Sequence, residues 1–340
     1  MPDDLPAELP SPALFLDAAA GYRRSAALRA GLELDVFTAL DGEPLDAATL
    51  AERCGASPRG MRILCDGLAA MGALEKRGDR YALTRDAAIF LSRKSPLCMA
   101  PGFLFLSSSE FVSVFQQLTA AVRRGGTPLD GQGVLAPEAE FWREFARSMA
   151  PMMAYPAESV AQLLGADRGQ PWNVLDVAAG HGMFGIAIGR QNPRACITAL
   201  DWPSVLEIAR WNAESAGLSD RYRTLPGSVF ELNLGTGYDV VLLTNFLHHF
   251  DPPTCESLLR RVHAALAVGG RVAALEFVPS VDRVTPPFAA MFALNMLVHT
   301  PAGDAYTFPE LERMFRNAGF GPCELHPLPP GPQTVIITQK

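Results

Sequence analysis

The stretch VLDVAAGHGMFGIAIGR, residues Val174–Arg190, decides the fold. Apolar residues run into an acid, Asp176, then into glycines, then into an apolar segment with helical spacing. That order predicts a strand, a tight turn and a helix whose unpaired N–H groups face an anion. Gly180, Gly182 and Gly185 spell G-x-G-x-x-G, which taken alone suggests NAD. Asp176 separates the cases. An anion there has no use beside a pyrophosphate, but it suits the ammonium and sulfonium of S-adenosylmethionine. A second acid, Asp201, closes the strand CITALD about 20 residues on, where a carboxylate accepts the ribose hydroxyls of either cofactor. The bland alternative is a ligand-free turn with Asp176 as a capping acid.

Outward from this turn, the pattern after Pro171 alternates strand and helix. Candidate strands are NVLDVA, CITALD, YRTLPG, YDVVLLT and RVAALEFV, and CELHPLPPGPQTVIITQK closes as a hairpin. Such alternation predicts a parallel sheet covered on both faces, with ligands at the carboxyl ends of the strands. Residues 101–165 form a helical connector rich in Phe and Met, broken by a loop at Gly125–Gly133. Upstream, residues 1–11 make a loose arm, and helices follow to about Leu40. DAATLAERCGASPRGMRILCDGLAAMGALEKRGDRYALT then outlines a winged helix-turn-helix. Asp46 caps its first helix, Ser57 with Pro58 starts the second, and Arg77-Gly78-Asp79 turns the hairpin. The expected domains are 1–100, 101–165 and 166–340.

Composition narrows the function. Of 340 residues 49% are apolar and 19% charged, as in an ordinary globular protein. A net charge of −7 argues against nucleic acid, which is bound by clustered Lys and Arg. The second winged-helix segment carries Arg59 and Arg62 on an otherwise apolar face, better suited to another subunit than to bases. No run is long enough to span a bilayer. The N-terminus is acidic and Pro-rich, unlike a signal peptide, and the six cysteines are scattered. A cytoplasmic protein with reduced thiols is expected.

The segments VLDVAAGHG, ALDWPSVLE, PGSVFE, YDVVLLTNFLHHF, LAVGGRVAALEFV and GDAYTFPELERMFRNAGF occur in the order of the S-adenosylmethionine-dependent O-methyltransferases. The chain resembles the plant-type and hydroxyindole-type branch over nearly its whole length. The resemblance implies an α/β fold: a Rossmann-like seven-stranded methyltransferase sheet with a mostly helical N-terminal winged-helix dimerisation domain, hence a homodimer. It implies cofactor contacts from Asp176, Ala178, Gly180, Gly182, Asp201, Trp202, Ser228, Val229 and Thr244. Ala178 stands where the family has glycine, and Ser228 where it commonly has an acid. ALNMLVHT (Ala293–Thr300) resembles the acceptor-pocket helix.

The chemistry expected is in-line methyl transfer to a hydroxyl of a small aromatic or polyketide-like acceptor. His248 aligns with the family's general base, and Glu276, at the end of the next strand, would orient it. His249 follows directly. Neighbours on a strand end point to opposite sides, so one of the pair should face the acceptor. In the run GDAYT the family's second orienting acid is replaced by Ala305, which leaves open whether Asp304 substitutes. Acceptor contacts are expected from Met149, Met291, Asn295, Met296 and His299. No metal is expected, since sequential histidines rarely ligate one ion. C- or N-methylation, or a non-methylating reaction on the same scaffold, stays open. So do a winged-helix DNA-binding regulator and an NAD oxidoreductase.

Overall fold

The computed structural model describes residues 10–129 and 140–340. Most of the expected N-terminal arm, and the expected loop from residue 130 onward, lie outside the described residues. The chain divides into two compact units, one up to Ser109 and one from Glu110. The first extends past the expected boundary at residue 100 because helix Ala100–Leu106 packs Ala100, Phe103 and Leu104 into its core.

The N-terminal unit follows its sequence signals. Asp46 accepts the Thr49 N–H at 2.8 Å and starts helix Ala47–Arg53. Ser57 accepts the Gly60 N–H at 3.1 Å, and Pro58 opens helix Pro58–Ala70. Met61, Cys65 and Leu68 lie on one face of that helix and are fully buried beside Leu50 and Phe37. Strands β1 (Leu45–Asp46), β2 (Leu74–Arg77) and β3 (Arg80–Leu83) form the wing in the order β1-β3-β2, turned by Gly78 at φ +65°. Helix Ala13–Ala20 buries no residue, and Leu14, Phe15 and Leu16 on it are 73%, 72% and 65% exposed.

The second unit is built on seven strands: β4 (Asn173–Val177), β5 (Cys196–Asp201), β6 (Tyr222–Pro226), β7 (Tyr238–Thr244), β8 (Leu266–Glu276), β9 (Glu324–Pro327) and β10 (Thr334–Gln339). Their order is β6-β5-β4-β7-β8-β10-β9. The first five run parallel, and β10 and β9 close the sheet antiparallel. Each expected strand is present, but β8 begins at Leu266, five residues before the expected Arg271. Alternate residues feed two apolar layers. Val174, Ile197, Val240, Leu242 and Ala273 face one, with helix Glu140–Leu164 packed there through Ala157, Val160, Ala161 and Leu164. Leu175, Leu200, Val241, Leu243 and Val272 face the other. A sheet buried on both faces reads as continuous apolar runs, which is why these strands were legible. The strand order reverses between β4 and β7, and the crevice beyond their carboxyl ends is where this topology binds ligands. No described helix is long and apolar enough to cross a membrane.

Candidate active site

Asp176 ends up fully buried on β4. Its Oδ2 accepts the Gly185 N–H at 3.1 Å. Only glycine allows that approach: a Cβ on Gly185 would lie 2.7 Å from Ile197 Cγ2 and 3.0 Å from Asp176 Oδ2. Oδ1 is buried with no hydrogen-bond partner among the described residues. Burial pushes the Asp176 carboxyl up to about 7, against the opposing pull of the Gly185 N–H. Gly180 and Gly182 take φ +57° and +75°, and Ala178 is forced into the same left-handed region at +51°. Asp201 Oδ2 accepts the Gly180 N–H at 2.8 Å and Oδ1 the Trp202 N–H at 2.7 Å. Burial raises the Asp201 carboxyl to about 6.

This turn fits the amino-acid end of S-adenosylmethionine. It offers an unsatisfied buried acceptor, Asp176 Oδ1, for an ammonium. It also holds an unsatisfied buried hydroxyl, that of Tyr222, whose Oη a Cβ on Gly182 would meet at 2.5 Å. A buried acid and a buried hydroxyl left unpaired suit a ligand carrying a cation and an acceptor. Around it, Ser228 Oγ accepts the Phe230 N–H at 3.2 Å and keeps its own proton to donate. Val229 and Thr244 are buried, and Trp202 packs against Ala146, Val205 and Ile208.

The second half of the site lies beyond β7. The strand stops at Thr244, and Asn245 takes φ +54°. Leu247–His249 then form a 3-10 turn. This corrects the expectation that His248 ends the strand and that His249 points to the other side. A 3-10 turn advances about 120° per residue rather than alternating. The two rings therefore sit together, 4.3 Å between centroids. Only His248 meets the carboxylate: its Nδ1 is 2.5 Å from Glu276 Oε2. Glu276 Oε1 accepts the N–H groups of Phe246 and Leu247 at 3.1 and 2.8 Å. Both His248 and Glu276 are buried. A carboxylate accepts, so Nδ1 carries the proton and Nε2, across the ring, keeps its lone pair. Burial, and then His248, drive His249 well below the ordinary imidazole range, and its Nδ1 bonds the Phe246 carbonyl at 3.2 Å.

Helix Pro287–His299 supplies the wall beside His248. Phe292 meets the His248 ring edge-on at 4.9 Å and stacks on Phe277 at 4.0 Å. Met291, expected on this wall, is 63% exposed, so Phe292 and not Met291 takes the inward place. Asn295 is half-buried, while Met296 and His299 are buried. Met149 is half-buried on helix Glu140–Leu164, one turn before Met153, whose sulfur lies 3.6 Å from Asn245 Nδ2. Asp304 does not turn toward the His248 ring. Its Oδ2 bonds Arg283 at 3.1 Å, and its N–H donates to the His248 carbonyl at 3.0 Å. Ala305 is buried beside it. Asp251 caps helix Pro252–Ala265 by accepting the Thr254 N–H. Among the described residues no group of three or more His, Cys, Asp or Glu could hold a metal ion.

Sequence reasoning missed Tyr222, Asn245, Gln333 and His181. Gln333 donates to Asn245 Oδ1 at 2.6 Å and so holds the turn that carries His248. His181 accepts the Met183 N–H at 3.1 Å, and burial lowers it to about 4. Asn directly after a strand was the one readable signal, since Asn tolerates positive φ.

Comparison with known proteins gives the family. Residues 131–321 match the O-methyltransferase domain, and residues 16–93 match the O-methyltransferase dimerisation domain. The chain is 30% identical over 335 residues to the tetracenomycin polyketide synthesis 8-O-methyl transferase TcmO of Streptomyces glaucescens, covering 97% of each. A solved chain from Nostoc punctiforme superposes with a TM-score of 0.93 at 49% identity, covering 98% of this chain and 100% of that one. PigF, solved with S-adenosylhomocysteine, gives 0.82 at 26% identity over 97% of this chain and 100% of its own. By sequence, by sheet order and by the cofactor its glycine turn fits, the chain belongs to the S-adenosylmethionine-dependent O-methyltransferases.

Proposed function

We propose that this enzyme methylates a hydroxyl of an aromatic, polyketide-like small molecule, with His248 as general base and Glu276 as the group that orients it. The supporting observation is the clamp on Glu276. One oxygen is held by two backbone N–H groups and the other by His248 Nδ1. The imidazole is thereby fixed in the tautomer that leaves Nε2 free to take a proton.

A phenol near pKa 10 and an imidazole near 6.5 differ by about 5 kcal/mol, so proton removal must accompany bond formation. The Glu276 carboxylate stabilises the imidazolium as it forms. Asp176 holds the ammonium end of the cofactor and Asp201 its ribose; when bound, S-adenosylmethionine supplies an activated methyl group. The phenolic O–H bond breaks and its proton passes to His248 Nε2, while the oxygen would take the methyl carbon as that carbon's bond to the sulfonium sulfur breaks, leaving a neutral thioether. Phe277 and Phe292 exclude water beside the base. His249, held neutral, places no competing charge there. The acceptor class rests on the likeness to TcmO. Homodimer formation rests on the dimerisation-domain match and on the apolar residues that helix Ala13–Ala20 exposes.

Incubation with methyl-labelled S-adenosylmethionine and a naphthol tests this. The expected product carries the label as a methyl ether. Label on a ring carbon, or none in any aryl acceptor, would refute the proposal.

A further inference from the structure

His299 is a buried histidine with one nitrogen used and the other left over. Its Nδ1 lies 2.9 Å from the Asn295 carbonyl, which only accepts, so Nδ1 carries the proton. Nε2 is then a bare lone pair. It is buried, and it has no hydrogen-bond partner among the described residues. A buried acceptor without a donor is costly and is completed by a donor from outside the chain. The ring cannot turn away to find one. It stacks on Phe111 at 4.7 Å and meets Phe115 edge-on at 5.8 Å. The backbone around it is tied down by Thr127, whose hydroxyl donates to the Val298 carbonyl at 2.8 Å and whose N–H donates to the Thr300 carbonyl at 2.9 Å.

We propose that His299 Nε2 is a second polar anchor for the acceptor, receiving a hydrogen bond from an O–H or N–H remote from the hydroxyl that is methylated. This rests on the proposed methyl transfer for which end reacts. Burial keeps the ring neutral, so it selects a donor and not an anion. Phe292, against His248, and His299 are seven residues apart on one helix. Two turns bring them to the same stripe, about 10 Å apart along the axis. Gly303 joins the end of this helix to the turn that carries His248: its N–H donates to the Thr300 hydroxyl at 2.9 Å, and a Cβ on it would meet the His248 carbonyl at 2.3 Å. The acceptor is therefore two or three fused rings long, with a hydroxyl near one end and a donor near the other.

Calorimetry on the full chain loaded with S-adenosylhomocysteine tests this with 2,7-dihydroxynaphthalene and 2-naphthol. The wild type should bind the diol at least about 10-fold more tightly, the worth of one buried hydrogen bond. His299→Phe keeps the stack on Phe111 and should bring the two affinities together, while His299→Gln, with an amide oxygen, should restore part of the preference. Cofactor affinity in each variant reports whether the fold survives. Equal binding by the wild type, no binding of either naphthol, or an unchanged preference in His299→Phe would each overturn the inference. A wild type that discriminates between the two yet methylates neither would sink the methyl-transfer reading and leave the His299 anchor standing.

Discussion

Two buried carboxylates stand at the ends of nearby strands, and they are in opposite states. Glu276, closing β8, accepts three hydrogen bonds: two from backbone N–H groups and one from His248. Asp176, near the end of β4, accepts one, and its other oxygen has no partner among the described residues. The first is complete within the protein and serves as a rigid support. The second is unfinished, and in the proposed function the ammonium of the cofactor completes it. A preorganised acid suits catalysis, because nothing has to move when charge develops on the imidazole. An unsatisfied one suits binding, because a cationic ligand relieves its desolvation.

The largest effect expected from breaking this contrast is at Glu276→Gln. The two backbone N–H groups still require the amide oxygen, so the NH2 must face His248 Nδ1. The imidazole then carries its proton on Nε2 and cannot act as a base. Turnover should fall about 10³–10⁴-fold, the loss seen when a triad acid becomes an amide. Cofactor affinity, measured by calorimetry, should stay.

Asp176→Asn should give the reverse pattern. Loss of a charged hydrogen bond should weaken S-adenosylhomocysteine binding about 10–100-fold. The sign of the pH dependence is fixed by the raised pKa. Folding raises the carboxyl from 3.8 to about 7, so its contribution to stability is full below about 4 and is lost as pH rises through 7. The unliganded wild type should lose thermal stability over that window, and Asp176→Asn should flatten the loss. A cationic ligand favours the ionised acid, so wild-type cofactor binding should tighten as pH rises toward 7 and then level off. The Asn variant should lack that slope. A wild type as flat as the variant would mean that Asp176 does not meet the cation.

Smaller effects lie at the margins of the two sites. Ala178 sits at φ +51°, where an alanine costs about 1 kcal/mol relative to glycine. Ala178→Gly should raise the thermal midpoint by a few degrees and leave cofactor affinity within a factor of two or so. Asp304→Asn should change turnover least, within about two-fold, because its carboxylate is spent on an exposed Arg283 pair. A large loss there would show a second orienting acid that the geometry does not provide.

Much of this was legible because it is local. Asp46 and Ser57 announced their helices, and the apolar runs of β4, β5 and β7 gave a sheet buried on both faces. His248 and Glu276 could be paired because adjacent parallel strands end side by side. The turn after β7 was not legible. Its shape depends on Asn245 at positive φ, held by Gln333 from the far end of the chain. That contact comes from a residue 88 positions away, and no local pattern encodes it. Nor does spacing show which nitrogen of His299 is left over, since this follows from a carbonyl one turn earlier. Tyr222 read as an ordinary strand residue, and only its burial without a partner marks it.

His248 is proposed to remove the acceptor's proton at a site separate from the one that holds the cofactor. Single-turnover methyl transfer by His248→Ala, measured alongside its affinity for S-adenosylhomocysteine, tests this most directly. Affinity should stay within about two-fold of wild type, and the rate should fall by at least about 100-fold. Intact affinity with a rate within a few-fold of wild type would contradict it.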